Sequence, residues 1–173
     1  MREALVALDR EGWVTIEPHR GAFVHGVDAD WVRDHYDILS VLYGLAAARA
    51  AVRGTADDRA HLHELHRTFK RSSAPDAFDA ANHAMLQHVL SMARAPRLVT
   101  ALRAVTSIVP GNFFVEVPNT IPTQRRGIAA IVRAIVAHDV DESRASVERL
   151  LARQGNAVVG VLTDRGVLAE FGR

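Results

Sequence analysis

Residues 1–24 read MREALVALDREGWVTIEPHRGAFV, and the way this stretch divides sets the architecture of the amino-terminal end. Arg2 to Arg10 places the apolar Ala4, Leu5 and Leu8 on one face at helical spacing, and Gly12 ends the run. Trp13 to Glu17 then alternates residues of strand-forming type, Pro18-His19-Arg20-Gly21 marks a turn, and Ala22-Phe23-Val24 reads as a returning strand. The spacing therefore predicts a helix followed by a β-hairpin. No capping residue precedes Arg2 and no earlier turn docks the helix, so the stretch is expected to be the end of a larger unit.

From Val27 the texture changes and stays helical, which puts a boundary near residue 26. Residues 1–26 form one unit on this reading and residues 27–173 a second, all-helical one. Asp28 can cap a helix running to about Arg53, with Trp31, His35, Ile38, Leu42, Leu45 and Arg49 on its inner face and Gly54 just past its end. Thr55 with Asp58 resembles a capping box for a second helix through Lys70, whose narrow stripe is Leu62, Leu65 and Phe69. A third helix, about Pro75 to Ala93, turns Phe78, Asn82, Met85, Leu86, Val89 and Leu90 inward. A fourth starts at Pro96 and runs to Val109, before Pro110-Gly111. Residues 111–118 read either as a resumed helix or as a loop whose Phe113 and Phe114 close a pocket. Thr123 to His138 makes a fifth helix and Asp141 to about Leu168 a sixth, interrupted by Gly155, Gly160 and Gly166.

Composition agrees with a mainly α body. The 173 residues suffice for one ordinary domain with a core, and the chain is rich in Ala, Val, Leu and Arg. Cysteine is absent, which excludes disulfides, thiolate metal sites and cysteine nucleophiles. With 21 basic against 20 acidic residues, any contact with nucleic acid has to be local. Neither a signal peptide nor an apolar run of membrane-span length is present, so a soluble cytoplasmic protein is expected.

The run Arg2-Glu3-Ala4-Leu5, Leu8, Glu11-Gly12-Trp13-Val14-Thr15-Ile16 and then His19-Arg20-Gly21-Ala22-Phe23-Val24 resembles the end of the recognition helix and the wing of GntR-type winged helix-turn-helix regulators. The six-helix remainder resembles the effector-binding FCD domain of that family's FadR branch. The implied fold is a six-helix antiparallel bundle preceded by the last helix and the β-hairpin wing of a winged helix. A recognition helix reads the major groove with its N-terminal residues while the wing reaches the minor groove. The resemblance thus implies that Arg2, His19, Arg20 and Gly21 meet operator DNA. The first two helices of the winged helix are not in this sequence, which is expected to reflect either a start site placed too late or a truncation. Residues 1–26 carry Arg2, Arg10 and Arg20 against Glu3, Asp9, Glu11 and Glu17, so weak or no specific DNA binding is expected of the chain as it stands.

The resemblance also implies a pocket. Metal-binding members of the branch hold a divalent ion with an Asp-x-x-x-His pair and two later histidines. Asp79 and His83 match the pair, and residues four apart share a helix face. Aligned on Ala134-Ile135 and Asp139, the two further ligands fall at Ile128 and Leu150, both aliphatic. The arginine and glutamate usual in the first effector helix fall at Leu39 and Tyr43. Together with His35 and Asn82 these residues are the expected effector pocket, and a metal-free state is favoured, with zinc or nickel the ion that Asp79 and His83 would take if one binds. His138, beside Asp139 at a helix end, is expected to cap rather than ligate. The spacings of His61, His63 and His66 suit a solvated face.

Leu39, Tyr43, Ile128 and Leu150 deprive a small dicarboxylate of its charge partner and offer an acyl chain a wall. The metal-free member FadR binds long-chain acyl-CoA, and Gly12-Trp13 is FadR-like, so a lipophilic effector, a fatty acid or acyl-CoA, is expected. The reading is a ligand-responsive transcriptional regulator working as a homodimer, without membrane contact. Two alternatives stay open: a metal-dependent sensor of a small carboxylate using Asp79 and His83, and a truncated dimerisation or ligand-binding module without DNA binding. Nucleophile elbow, phosphate loop and His-Glu-x-x-His motif are all missing, so an enzyme is not expected.

Overall fold

The computed structural model describes residues 4–6, 9, 14–18, 20–24, 26–105, 117 and 120–168. Residues 4–6 and 9 are helical. The hairpin follows: β1 (Val14–Glu17) pairs antiparallel with β2 (Gly21–Val24), with Val14 opposite Val24 and Glu17 opposite Gly21. Gly21 sits at φ +106, where an L side chain is strained, so the turn depends on glycine at this point. The Ile16 N–H donates to the Asp9 carboxylate at 3.0 Å and ties the helical end to the hairpin.

Six helices follow: α1 (Ala29–Arg53), α2 (Ala56–Arg71), α3 (Pro75–Met92), α4 (Pro96–Val105), α5 (Thr120–Val136) and α6 (Val140–Asp164). Local chemistry sets their starts. The Asp28 carboxylate accepts from the Trp31 N–H at 2.7 Å, Thr55 and Asp58 close a reciprocal capping box, and Asp139 accepts from the Glu142 N–H at 2.9 Å. Helix α5 begins at Thr120, ahead of the expected Thr123. Pro122 lies in its first turn, where a missing N–H costs nothing, and the Thr120 hydroxyl donates to the Val117 carbonyl at 2.7 Å. Helix α6 runs unbroken through Gly155 and Gly160 instead of being interrupted there, and ends before Gly166, at φ +64. The expected end of α4 at Val109 and most of residues 111–118 lie outside the described residues.

The bundle packs around α1, which lies most extensively along α6 and also touches α3, α4 and α5. Its inner face differs from the expected one. Val32, Tyr36, Leu39, Ala46, Ala47, Ala50 and Ala51 are buried, whereas Ile38 is 51% exposed. The reason is close approach. A Cβ at Gly44 would meet Arg144 Cγ at 3.1 Å and one at Gly155 would meet Tyr36, so the tightest helix contact selects small residues, and counting large apolar ones misplaces the face. On the outer layer Leu62 and Phe69 of α2 are fully buried, and Phe69 packs on Phe78 of α3 with ring centroids 4.6 Å apart. His138, two residues past the end of α5, has φ +58, and its Nδ1 lies 2.9 Å from the Ala51 carbonyl. A carbonyl only accepts, so Nδ1 carries the proton and His138 caps the end of a neighbouring helix.

Candidate functional site

Helices α1, α3, α5 and α6 line a cavity of about 210 Å³. Helix α1 contributes Tyr36, Leu39 and Tyr43, and α3 contributes Asp79, Asn82, Met85, Leu86 and Val89. The opposite walls are Gln124, Ile128 and Ile131 of α5 with Val147, Leu150 and Gln154 of α6. Each set follows helical spacing, so the walls are the faces the helices turn to one another.

Most of the surface is aliphatic, and three of the polar groups form one chain. The Gln154 Nε2 donates to Gln124 Oε1 at 2.5 Å, and the Gln124 Nε2 donates to Asn82 Oδ1 at 2.8 Å. Gln124 is 3% and Asn82 8% exposed, and these bonds satisfy groups that burial would otherwise penalise. Burial pushes the Tyr36 phenol up to about 12 and also raises that of Tyr43, so both present O–H groups at neutral pH. None of the lining side chains among the described residues is basic.

The structure brings Leu39, Tyr43, Asp79, Asn82, Ile128 and Leu150 to this cavity and leaves two other expected residues outside it. His83 is exposed. It follows Asn82 by one residue, a rotation of about 100° that carries it off the cavity-facing arc. His35 is buried beside the cavity rather than in its wall, with its ring stacked on Trp31 and edge-on to Tyr36. Among the described residues its Nε2 has no hydrogen-bond partner, and burial lowers its pKa. Gln124, Gln154 and Tyr36 were missed by sequence reasoning. The two glutamines lie four residues from Ile128 and Leu150, and that spacing was the available signal.

One carboxylate among neutral amides and phenols does not suit zinc or nickel. Among the described residues no group of three His, Cys, Asp or Glu side chains is placed to hold one, and Ile128 and Leu150 present only carbon where ligands were sought. At the other end of the chain Gly21 shapes the hairpin turn, and Arg20 at its tip pairs with Glu17 and lies over the Phe23 ring. Arg2 and His19 lie outside the described residues. No helix among the described residues is long and apolar enough to cross a membrane.

Comparison with known proteins adds family and fold. The FCD domain family matches residues 34–153. An uncharacterized HTH-type transcriptional regulator of Mycobacterium tuberculosis H37Rv is 30% identical over 120 residues, which make up 69% of this chain and 49% of that protein. Its counterpart in strain CDC 1551 matches equally. The chain thus spans about half the length of the curated relatives it matches. A GntR family regulator structure from Pseudomonas syringae pv. tomato DC3000 superposes with a TM-score of 0.67 at 18% identity, covering 94% of this chain and 70% of that one. E. coli McbR/YncC superposes with a TM-score of 0.65 at 19% identity, covering 92% and 83%. At these identities the likeness is one of fold.

Proposed function

Because the chain belongs to the FCD domain family, we propose that it is the effector-binding part of a GntR-type transcriptional regulator of the FadR branch, acting as a homodimer on operator DNA. The observation that carries this reading is the cavity of about 210 Å³ walled by α1, α3, α5 and α6. Its aliphatic lining favours a lipophilic effector, such as the acyl part of a fatty acid or acyl-CoA. An engineered cavity of about 150 Å³ holds benzene, so this one has room for about eight non-hydrogen atoms, the size of a short acyl segment. The relatives named above as transcriptional regulators support the DNA-directed part of the reading.

Signal transfer follows from chain order. Helix α1 lines the cavity with Tyr36, Leu39 and Tyr43 and begins only five residues after β2 ends at Val24. A ligand that favours one placement of α1 shifts the population of hairpin orientations by its differential affinity for the two states. In a homodimer this changes the separation of the two DNA-reading units, and paired half-sites demand a fixed one. Arg20 and Gly21 at the wing tip, with Arg2 and His19, are the proposed DNA-contacting residues.

Native mass spectrometry of the purified protein tests the reading in one sample. A metal-free dimer carrying a small organic adduct that Ile131→Trp removes is the expected result. A stoichiometric zinc- or nickel-sized adduct, or an organic adduct that survives Ile131→Trp, overturns it.

A further inference from the structure

Helix α1 buries one side in the bundle and leaves an apolar stripe on the other. Asp34, Ile38, Val41, Leu45, Arg49 and Val52 follow at steps of four, three, four, four and three residues. At 100° per residue this confines them to an arc of about 80°. Ile38, Val41 and Val52 are 51%, 63% and 66% exposed, and Leu45 between them is half-buried. Apolar side chains scattered singly over a surface need no explanation, whereas a row of them along one helix face marks a contact. We propose that this stripe pairs with the same stripe of a second copy, antiparallel across a two-fold axis between Val41 and Leu42. The proposal rests on the homodimer reading above and names the surface that makes the dimer.

Charge selects the occupant and the direction. The stripe carries one acid near its start and one base near its end, and neither Asp34 nor Arg49 has an ion-pair partner among the described residues. The two stand equally far from the point between Val41 and Leu42. A two-fold axis there sets Asp34 against the partner's Arg49, and symmetry makes that contact twice. It also sets Ile38 against the partner's Leu45. Parallel pairing would instead oppose Asp34 to its own copy and Arg49 to its own copy, like charge to like. The direction also suits the DNA-reading units. Helix α1 starts at Ala29, so antiparallel pairing about this axis leaves the two starts about 38 Å apart at a rise of about 1.5 Å per residue. Half-sites one helical turn apart are separated by about 34–36 Å. Parallel helices would hold the two starts only about 10 Å apart.

Sedimentation equilibrium of the purified chain and its variants tests the pairing, with thermal melting as the check on folding. The parent should be a dimer, and Val41→Glu should weaken the dimer at least about tenfold. Asp34→Arg and Arg49→Asp should each weaken it, and the double variant, which exchanges the charges, should restore it. The chain has no cysteine, so introduced ones report the register without background. Under mild oxidation Val41→Cys, beside the axis, should cross-link two copies. Val52→Cys, about 30 Å from its counterpart in this arrangement, should not. Cross-linking of both would mean parallel helices and overturn the proposal, as would a double charge variant that stays as weak as the singles. A dimer that Val41→Glu leaves intact uses another face, which overturns the pairing and leaves the homodimer reading standing. A parent that stays monomeric at micromolar concentration overturns both and gives the stripe to a different partner.

Discussion

Gly155 of α6 lies so close to Tyr36 of α1 that a methyl group at 155 would stand 3.0 Å from both the Cβ and the Cγ of the tyrosine. The contact joins the two helices that pack most extensively, and Tyr36 is also a wall of the cavity. A methyl group at Gly160, five residues on in the same helix, would meet no atom of another element within 4 Å among the described residues. The two glycines therefore predict opposite signs. Gly155→Ala gains about 1 kcal/mol of helix propensity and loses about 1–3 kcal/mol to overpacking against an atom fixed to the α1 backbone. Gly160→Ala gains about 0.5–1 kcal/mol with no clash. Urea unfolding of the two variants should show a lower midpoint for the first and a higher one for the second. A raised midpoint for Gly155→Ala would mean that α1 and α6 separate more readily than the contact implies.

The amide chain predicts non-additivity. Gln124→Leu removes the donor to Asn82 and the acceptor for Gln154 together, leaving buried groups unpaired at a cost of about 1–3 kcal/mol. Adding Asn82→Leu removes one of those orphans. The double variant should lose less than the sum of the singles in equilibrium unfolding, and simple additivity would show that Asn82 and Gln124 are not coupled.

Acid sensitivity is expected at Asp58. The Thr55 backbone N–H, then the Thr55 hydroxyl, then Arg94 hold its carboxyl down at about 2, against 3.8 for an ordinary aspartate. A carboxyl depressed in the folded state contributes stability above its unfolded value, and that contribution is lost as pH falls through the folded one. Asp58→Asn should therefore be less stable than the parent at pH 7, and the gap should close between about pH 4 and pH 2. An equal gap at both ends of that range would place the effect of Asp58 outside its charge.

His35 predicts a second pH window. Burial lowers its pKa from 6.5, and its Nε2 has no partner among the described residues, so the folded state holds the neutral ring. A group that must stay neutral when folded costs stability as pH drops below the unfolded value, because the unfolded chain takes up the proton first. His35→Phe retains the ring between Trp31 and Tyr36 and cannot protonate. The variant should match or exceed the parent at pH 7.5 and gain on it as pH falls below 6.5 in thermal melts. Parallel melting curves at all pH values would show that the histidine is protonated equally in both states.

Capping and hairpin chemistry are local, and the sequence alone determined them. Asp28, Thr55 with Asp58, Pro75 and Pro96 start helices where their side chains act within one turn, and Pro18 to Gly21 makes its turn through residues in direct succession. The inward arc of α3, from Phe78 through Asn82 and Met85 to Val89, was legible because one side of that helix is apolar. Tertiary structure alone decided which side of α1 is inner, since that helix is surrounded and much of its buried face is made of Gly44 and alanines, which carry no strong periodic signal. It alone separated His83 from Asp79, because four-residue spacing places two side chains on one face without saying how far round that face the cavity extends. It also joined Asn82, Gln124 and Gln154, which are 42 and 30 residues apart in successive steps of the chain of hydrogen bonds. Such a network exists only after three helices have packed, so the composition of any one of them does not reveal it.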